Sequence, residues 1–185
     1  NLGNALKELG QLDAAVKSYL EALDIKPDYA DAHNNLGNAL SDLGQLDAAA
    51  KCFEKALAIK PDFADAHHNL GLIIQELGQL NEALVSYERA IILKPDIDYI
   101  LGTLLYAKMH LCIWDDLPIR INELTKKINN NEKVIIPFAL LSLIDDPEIQ
   151  RKNTEILANE KHPKNHVLSK IDRYPKHRKI RIGYF

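Results

Sequence analysis

A chain of 185 residues, 46% of them hydrophobic, is long enough to bury a core in one or two domains. The longest apolar run, "VIIPFALLSLI" at 134–144, is broken by Pro137 and too short to cross a bilayer, so no membrane partner is expected. The net charge of −3 is unevenly spread, with 25 acidic against 15 basic side chains in residues 1–160 and 8 basic side chains against Asp172 alone in residues 161–185.

The first 97 residues repeat themselves. "ADAHNNLGNALSDLGQLDAAAKCFEKALAIKPDF" at 30–63 returns as "ADAHHNLGLIIQELGQLNEALVSYERAIILKPDI" at 64–97, and residues 1–29 are the same unit without its first five residues. Leu2, Leu36 and Leu70 mark the period of 34, as do Gly10, Gly44 and Gly78 and Pro27, Pro61 and Pro95. Leu-Gly, a later Ala-x3-aromatic and a terminal Pro at this spacing resemble the tetratricopeptide repeat. The resemblance implies an all-α fold, a right-handed superhelix of helix-turn-helix units.

Within each unit a first helix should run to the Gly-Gln turn and a second to the Lys-Pro-Asp turn, where proline lacks the donor needed to continue. Gly3, Gly37 and Gly71, with Ala15, Ala49 and Ala83, are small where the paired helices should cross. Tyr19, Phe53 and Tyr87 are expected to fill the space between neighbouring units. Asp13, Asp47 and Asn81 stand where the second helices need an N-cap. His33 and His67 replace the tryptophan usual in this family.

Residues 98–130 keep two amphipathic helices, roughly 98–112 and 116–129. Leu105 holds the glycine place and Asn129 the proline place, so this segment is expected to be a divergent fourth repeat. In 131–161, "VIIPFALLSL" and "DPEIQRKNTEILANEK" are expected to supply two capping helices, with Asp146 as N-cap and Pro147 in the first turn.

From residue 162 to 185 the chain is a basic linker ending in "KIRIGYF", whose alternation predicts a short C-terminal strand. No recognition motif or stacking aromatic series accompanies the basic side chains, so they are read as a linker lying on an acidic body, with no nucleic-acid partner. The opening on Asn1 and the single methionine, Met109, predict a piece of a longer protein. The repeats, then "CIWDDL", then "IPFALLSLIDDPEIQ", then "KIRIGYF", together resemble bacterial relatives of the O-linked N-acetylglucosamine transferase, a SPINDLY-like glycosyltransferase family. That resemblance implies a catalytic domain dependent on UDP-N-acetylglucosamine whose first strand is "RIGYF". The catalytic residues would then lie beyond Phe185.

No catalytic constellation occurs in these 185 residues, so they are not expected to be an enzyme. His33 and His67 fall on successive units and should not converge. His162 and His166 have Pro163 between them and no third ligand. Neither a metal nor a cofactor is expected. Cys52 and Cys112, far apart in helical patterns, fit a reduced, cytoplasmic protein.

Asn1, Asn35 and Asn69 hold equivalent positions on successive first helices, and an asparagine side chain offers one acceptor and one donor group to the backbone of an extended peptide. In the glycosyltransferase family resembled here, asparagines at this position hold substrate backbones. Aspartates one turn earlier, matching Asp31 and Asp65, select substrate side chains. Judged as residues alone, Asp31 and Asp65 equally fit first-turn acids favoured by the helix dipole. In the fourth unit Tyr99 and Thr103 break both series.

The function expected is a module binding peptides or proteins in the concave groove, the substrate-recruiting arm of a protein O-glycosyltransferase. The alternative is a stand-alone tetratricopeptide scaffold or adaptor. Adaptors that clamp a terminal carboxylate need basic groups where this groove has Asp65 and Asn69. Self-association is expected through the solenoid ends, because Leu2 and Leu6 have no preceding unit to cover them.

Overall fold

The structure, a computed structural model, describes residues 2–161. The expected strand at 179–185 and the basic linker lie outside the described residues, as does Asn1. Among the described residues there are ten helices and no strand. None of these helices is long and apolar enough to cross a membrane.

Six helices form the three regular units: α1 (Leu2–Glu8) with α2 (Leu12–Ile25), α3 (Ala30–Asp42) with α4 (Leu46–Ile59), and α5 (Ala64–Glu76) with α6 (Leu80–Leu93). Each helix packs on the next in the chain, and α3 also touches α5 directly while the second helices of adjacent units meet less. The first helices therefore line the inner, concave face of the solenoid and the second helices splay outward. A cleft of about 720 Å³, with Leu20, Cys52 and Ile59 among its walls, opens where α2 and α4 diverge over α3.

Local chemistry explains the turns. Gly44 takes φ +73°, the left-handed conformation that ends a helix at little cost only in glycine. The Gln45 N–H then donates to the Leu40 carbonyl at 2.9 Å and closes the end of α3. At the other turn Lys60 leaves helical geometry (φ −133°, ψ 88°) because Pro61 excludes it from its predecessor.

One expectation for these units is corrected and one is extended. Asp13, Asp47 and Asn81 are not N-caps: Gln11, Gln45 and Gln79 hold that place without a side-chain cap bond, and Asp13 and Asp47 sit within the first turn, where the helix dipole favours acid. The aromatics pack between units as expected, Tyr19 and Phe53 in one buried cluster with Ala32, Leu36, Leu70 and Ile73, and Tyr87 in another with Ile100 and Leu104. Each ring lies against the glycine of its own unit, Tyr19 on Gly3, Phe53 on Gly37 and Tyr87 on Gly71, so the glycine makes room for a ring on its partner helix.

Beyond Pro95 come α7 (Ile100–His110), α8 (Leu117–Asn129), α9 (Pro137–Leu141) and α10 (Pro147–Lys161). Helix α7 packs on α6, but α7 and α8 pack far less closely than the regular pairs. Leu105, 1% exposed, occupies the place where the regular units have glycine, and a leucine cannot admit a ring there. An ion-pair cluster joins these helices instead: Lys108 Nζ donates to both carboxylate oxygens of Asp116 at 2.9 Å and lies 3.8 Å from Glu88, and Arg120 bonds Asp116 and Glu123.

The apolar run that opens "VIIPFALLSL" is not helical as expected. Val134–Ile136 is extended and only Pro137–Leu141 is helix, since a residue before proline is pushed from helical into extended geometry, seen at Ile136 (φ −71°, ψ 143°). Tyr99 N–H donates to the Lys133 carbonyl at 2.7 Å and Gly102 N–H to the Val134 carbonyl at 2.8 Å, so the extended segment satisfies the first turn of α7. Asn153, 2% exposed on α10, donates to the Ile135 carbonyl at 3.0 Å from the other side. Asp146 Oδ1 accepts from the Glu148 and Ile149 N–H groups at 2.9 and 3.3 Å and caps α10.

Candidate peptide-binding face

The first helices of adjacent units stand close enough for their side chains to bond directly. Asn35 Nδ2 donates to Asn4 Oδ1 at 3.2 Å, and Asn69 Nδ2 donates to Asn34 Oδ1 at 3.1 Å. Asn34 Nδ2 in turn approaches Asn35 Oδ1 at 3.5 Å, a long contact, and the Tyr19 hydroxyl donates to Asn4 Oδ1 at 2.6 Å. Asn35 and Asn69 are thus two members of a row of four amides. Each keeps one N–H and unused oxygen lone pairs, because an amide has two donors and its oxygen two acceptor positions. Asn4 and Asn34 were missed in the sequence. Their signal was present in the recurrence of Asn4 as Asn38 and in the doublet Asn34-Asn35.

The two aspartates differ in circumstance. Asp65 lies 3.4 Å from Lys94 Nζ, the lysine of its own unit's terminal turn. The matching lysine of the second unit, Lys60, instead stands 4.8 Å over the Phe63 ring, and Asp31 is exposed with no ion pair among the described residues. Asp31 is the freer of the two carboxylates.

His33 and His67 have a structural task. Their Nε2 atoms lie 2.9 Å from the carbonyls of Pro27 and Pro61, each tying a first helix to the turn before it. Donation from Nε2 leaves Nδ1 as acceptor, and in His33 that atom is buried without a partner. His68, the counterpart of Asn34, packs beside the Tyr87 ring at 6.1 Å between centroids, and its buried Nε2 has no partner. Burial lowers its pKa, against a smaller opposing pull from Asp65. Among the described residues no group of three or more His, Cys, Asp or Glu side chains is placed to hold a metal ion.

The row ends at α7. Thr103 Oγ1 is turned onto the Tyr99 and Ile100 carbonyls of its own helix at 2.9 and 3.0 Å. Tyr99 adopts φ +63°, and its hydroxyl bonds Glu160 of α10. Burial, followed by that bond and the charges of Glu160 and Asp98, raises the Tyr99 pKa. Lys133 bridges Glu160 and Asp98 at 3.1 and 3.5 Å, so the C-terminal end of this face is closed by the chain's own polar contacts.

Repeated helix pairs with a curved, amide-lined inner face define a helix-turn-helix solenoid. The sequence patterns of the tetratricopeptide repeat match residues 3–44, 37–78 and 64–97, and the chain belongs to that family. A comparison with curated proteins returns no match. Among solved structures the chain is similar to the first tetratricopeptide repeat domain of Spaghetti (RPAP3) bound to the HSP90 peptide SRMEEVD, with a TM-score of 0.58 at 24% identity, over 60% of this chain and 87% of that one. It is also similar to MamA, with a TM-score of 0.59 at 20% identity, over 86% of this chain and 77% of that one. At these identities the likeness is one of fold.

Proposed function

We propose that the inner face binds an extended peptide segment, with Asn35 and Asn69 holding its backbone and Asp31 and Asp65 selecting its side chains. The observation that carries this is the row of amides on successive first helices, each of Asn35 and Asn69 retaining a free N–H and oxygen lone pairs. That the similar Spaghetti domain holds a peptide gives further support. The acidic peptide SRMEEVD suits a basic groove, whereas Asp31 and Asp65 here favour neutral or basic segments.

In the finer form of this proposal, residues 1–97 are three repeats, 98–130 a divergent fourth, 131–161 a two-helix cap, and 162–185 a linker into a glycosyltransferase domain for which the repeats recruit substrates in the cytoplasm. It rests on the resemblance of "CIWDDL", "IPFALLSLIDDPEIQ" and "KIRIGYF" in that order. A scaffold with no enzyme attached is the other form, and both use the same face.

The test is a panel of unrelated neutral and basic peptides measured against wild type and Asn35→Ala/Asn69→Ala well below the melting temperature. Each lost bond should contribute roughly 0.5–1.5 kcal/mol, so affinities already in the range of tens of micromolar should fall by similar factors across the panel. Asp31→Ala and Asp65→Ala should instead reorder the preferred peptides. Unchanged binding in the double-alanine variant would overturn the proposal.

A further inference from the structure

Helices α3 and α5 carry no lysine or arginine, and Lys7 of α1 is held by Asp42 at 3.2 Å. The lysines that the repeat itself brings to Asp31 and Asp65 are those of the Lys-Pro-Asp turns, Lys60 for the first and Lys94 for the second. What each turn lysine does follows the residue three places on. Lys26 stands 5.2 Å over the Tyr29 ring and Lys60 4.8 Å over the Phe63 ring. A cation over the negative face of an exposed ring gains about as much as one in an exposed ion pair. In the third unit that place holds Ile97, which has no such face, and Lys94 turns to Asp65 at 3.4 Å.

The two aspartates therefore differ in charge although the repeat makes them equivalent. With Lys60 on its ring, the exposed Asp31 carboxylate presents a full negative charge, without an ion pair among the described residues. Asp65 and Lys94 together present none.

We propose that Asp31 is the subsite for a single basic side chain of the bound segment, and that the Asp65 subsite takes a neutral one because Lys94 compensates it. This rests on the peptide-binding reading above. Packed helices stand about 8–10 Å apart, and three residues of a polyproline II chain cover about 9 Å and return the side chain to the same side. The segment that fits is thus singly basic, with a neutral residue three positions from its lysine or arginine. A second basic side chain at that spacing meets Lys94 beside the Asp65 carboxylate and gains nothing.

The experiment uses the full chain and blocked six-residue peptides of threonine and alanine carrying no lysine, one lysine, or two lysines three positions apart. Titrations run at 0.15 M salt, where charges more than about 8 Å away are largely screened. In wild type the first lysine should tighten binding about 3-fold, the usual size for an exposed ion pair. The second should add no more than the twofold that a choice of two registers allows. In Asp31→Asn the single-lysine peptide should bind no better than the uncharged one. In Lys94→Gln the second lysine should add a further gain of about 3-fold, whereas Lys60→Gln should leave the wild-type pattern unchanged. All these side chains are exposed, so the variants should melt with wild type. A lysine preference that survives Asp31→Asn, no added gain in Lys94→Gln, or the same gain in Lys60→Gln overturns this inference and leaves the peptide-binding reading standing. Failure of the uncharged peptide and both lysine peptides to bind wild type removes both.

Discussion

The ring of Tyr87 lies against Gly71 so closely that a Cβ added at Gly71 would stand 2.5 Å from the ring's Cε1. The same relation joins Gly37 to Phe53 at 2.7 Å and Gly3 to Tyr19 at 2.6 Å. Each unit is thus locked by one glycine and one ring on paired helices. Overpacking a close contact costs about 1–3 kcal/mol, and alanine returns about 1 kcal/mol of helix propensity. Gly71→Ala should therefore lose up to about 2 kcal/mol in urea unfolding. A variant as stable as wild type would show that the ring has room to move.

Gly102 meets backbone rather than a ring. A Cβ there would lie 2.7 Å from the Val134 carbonyl oxygen and 2.8 Å from Ile135 Cα, and neither can rotate away. Gly102→Ala should cost about 3 kcal/mol and release the extended segment from α7. Hydrogen exchange checks this: the Tyr99 and Gly102 amides should lose protection while amides of α3 and α4 keep theirs.

Asp116 holds Lys108 and Arg120, and the bond from Lys108 first, then that from Arg120, keeps its carboxyl below the usual range against the opposing effect of burial. A depressed carboxylate contributes stability above its unfolded pKa, near 3.8, and loses it as pH falls from there through the folded value. Asp116→Asn should be less stable at pH 7 by about 1–3 kcal/mol, since Lys108, 12% exposed, keeps only Glu88 as a charged partner. The deficit should shrink below pH 4, which thermal melts across pH 3–7 will show.

His68 titrates in the opposite sense to a paired histidine. Its folded pKa lies below 6.5, so the unfolded chain takes up the proton first and stability falls as pH drops through 6.5 towards the folded value. Asp65, which opposes this, and the neutral Tyr87 ring are its neighbours. His68→Gln should flatten the decline in melting temperature between pH 7.5 and 5.5. An identical slope would mean that His68 is solvated in the folded state.

The helix pairs were legible because their causes are local. A period of 34, a glycine able to take φ +73° at Gly44, and a proline that ends the second helix at Pro61 act within a few residues of themselves. Asp146 capping α10 is of the same kind. The helical expectation for "VIIPFALLSL" failed at Val134–Ile136, where apolar composition does not distinguish a helix from a buried extended segment. Pro137, which decides it, was counted only as an interruption.

For the candidate face, the sequence by itself determined that asparagines recur on the first helices and that aspartates precede them by one turn. Only the tertiary structure decided that Asn35 meets Asn4 and Asn69 meets Asn34, and that Lys94 turns to Asp65 while Lys60 turns to Phe63. The partners in that row stand 31 and 35 residues apart, and those two separations differ although the repeat does not. Which of two neighbouring amides is reached depends on how adjacent units stack. That stacking is set by the packing of whole helix faces, not by any single residue in the period.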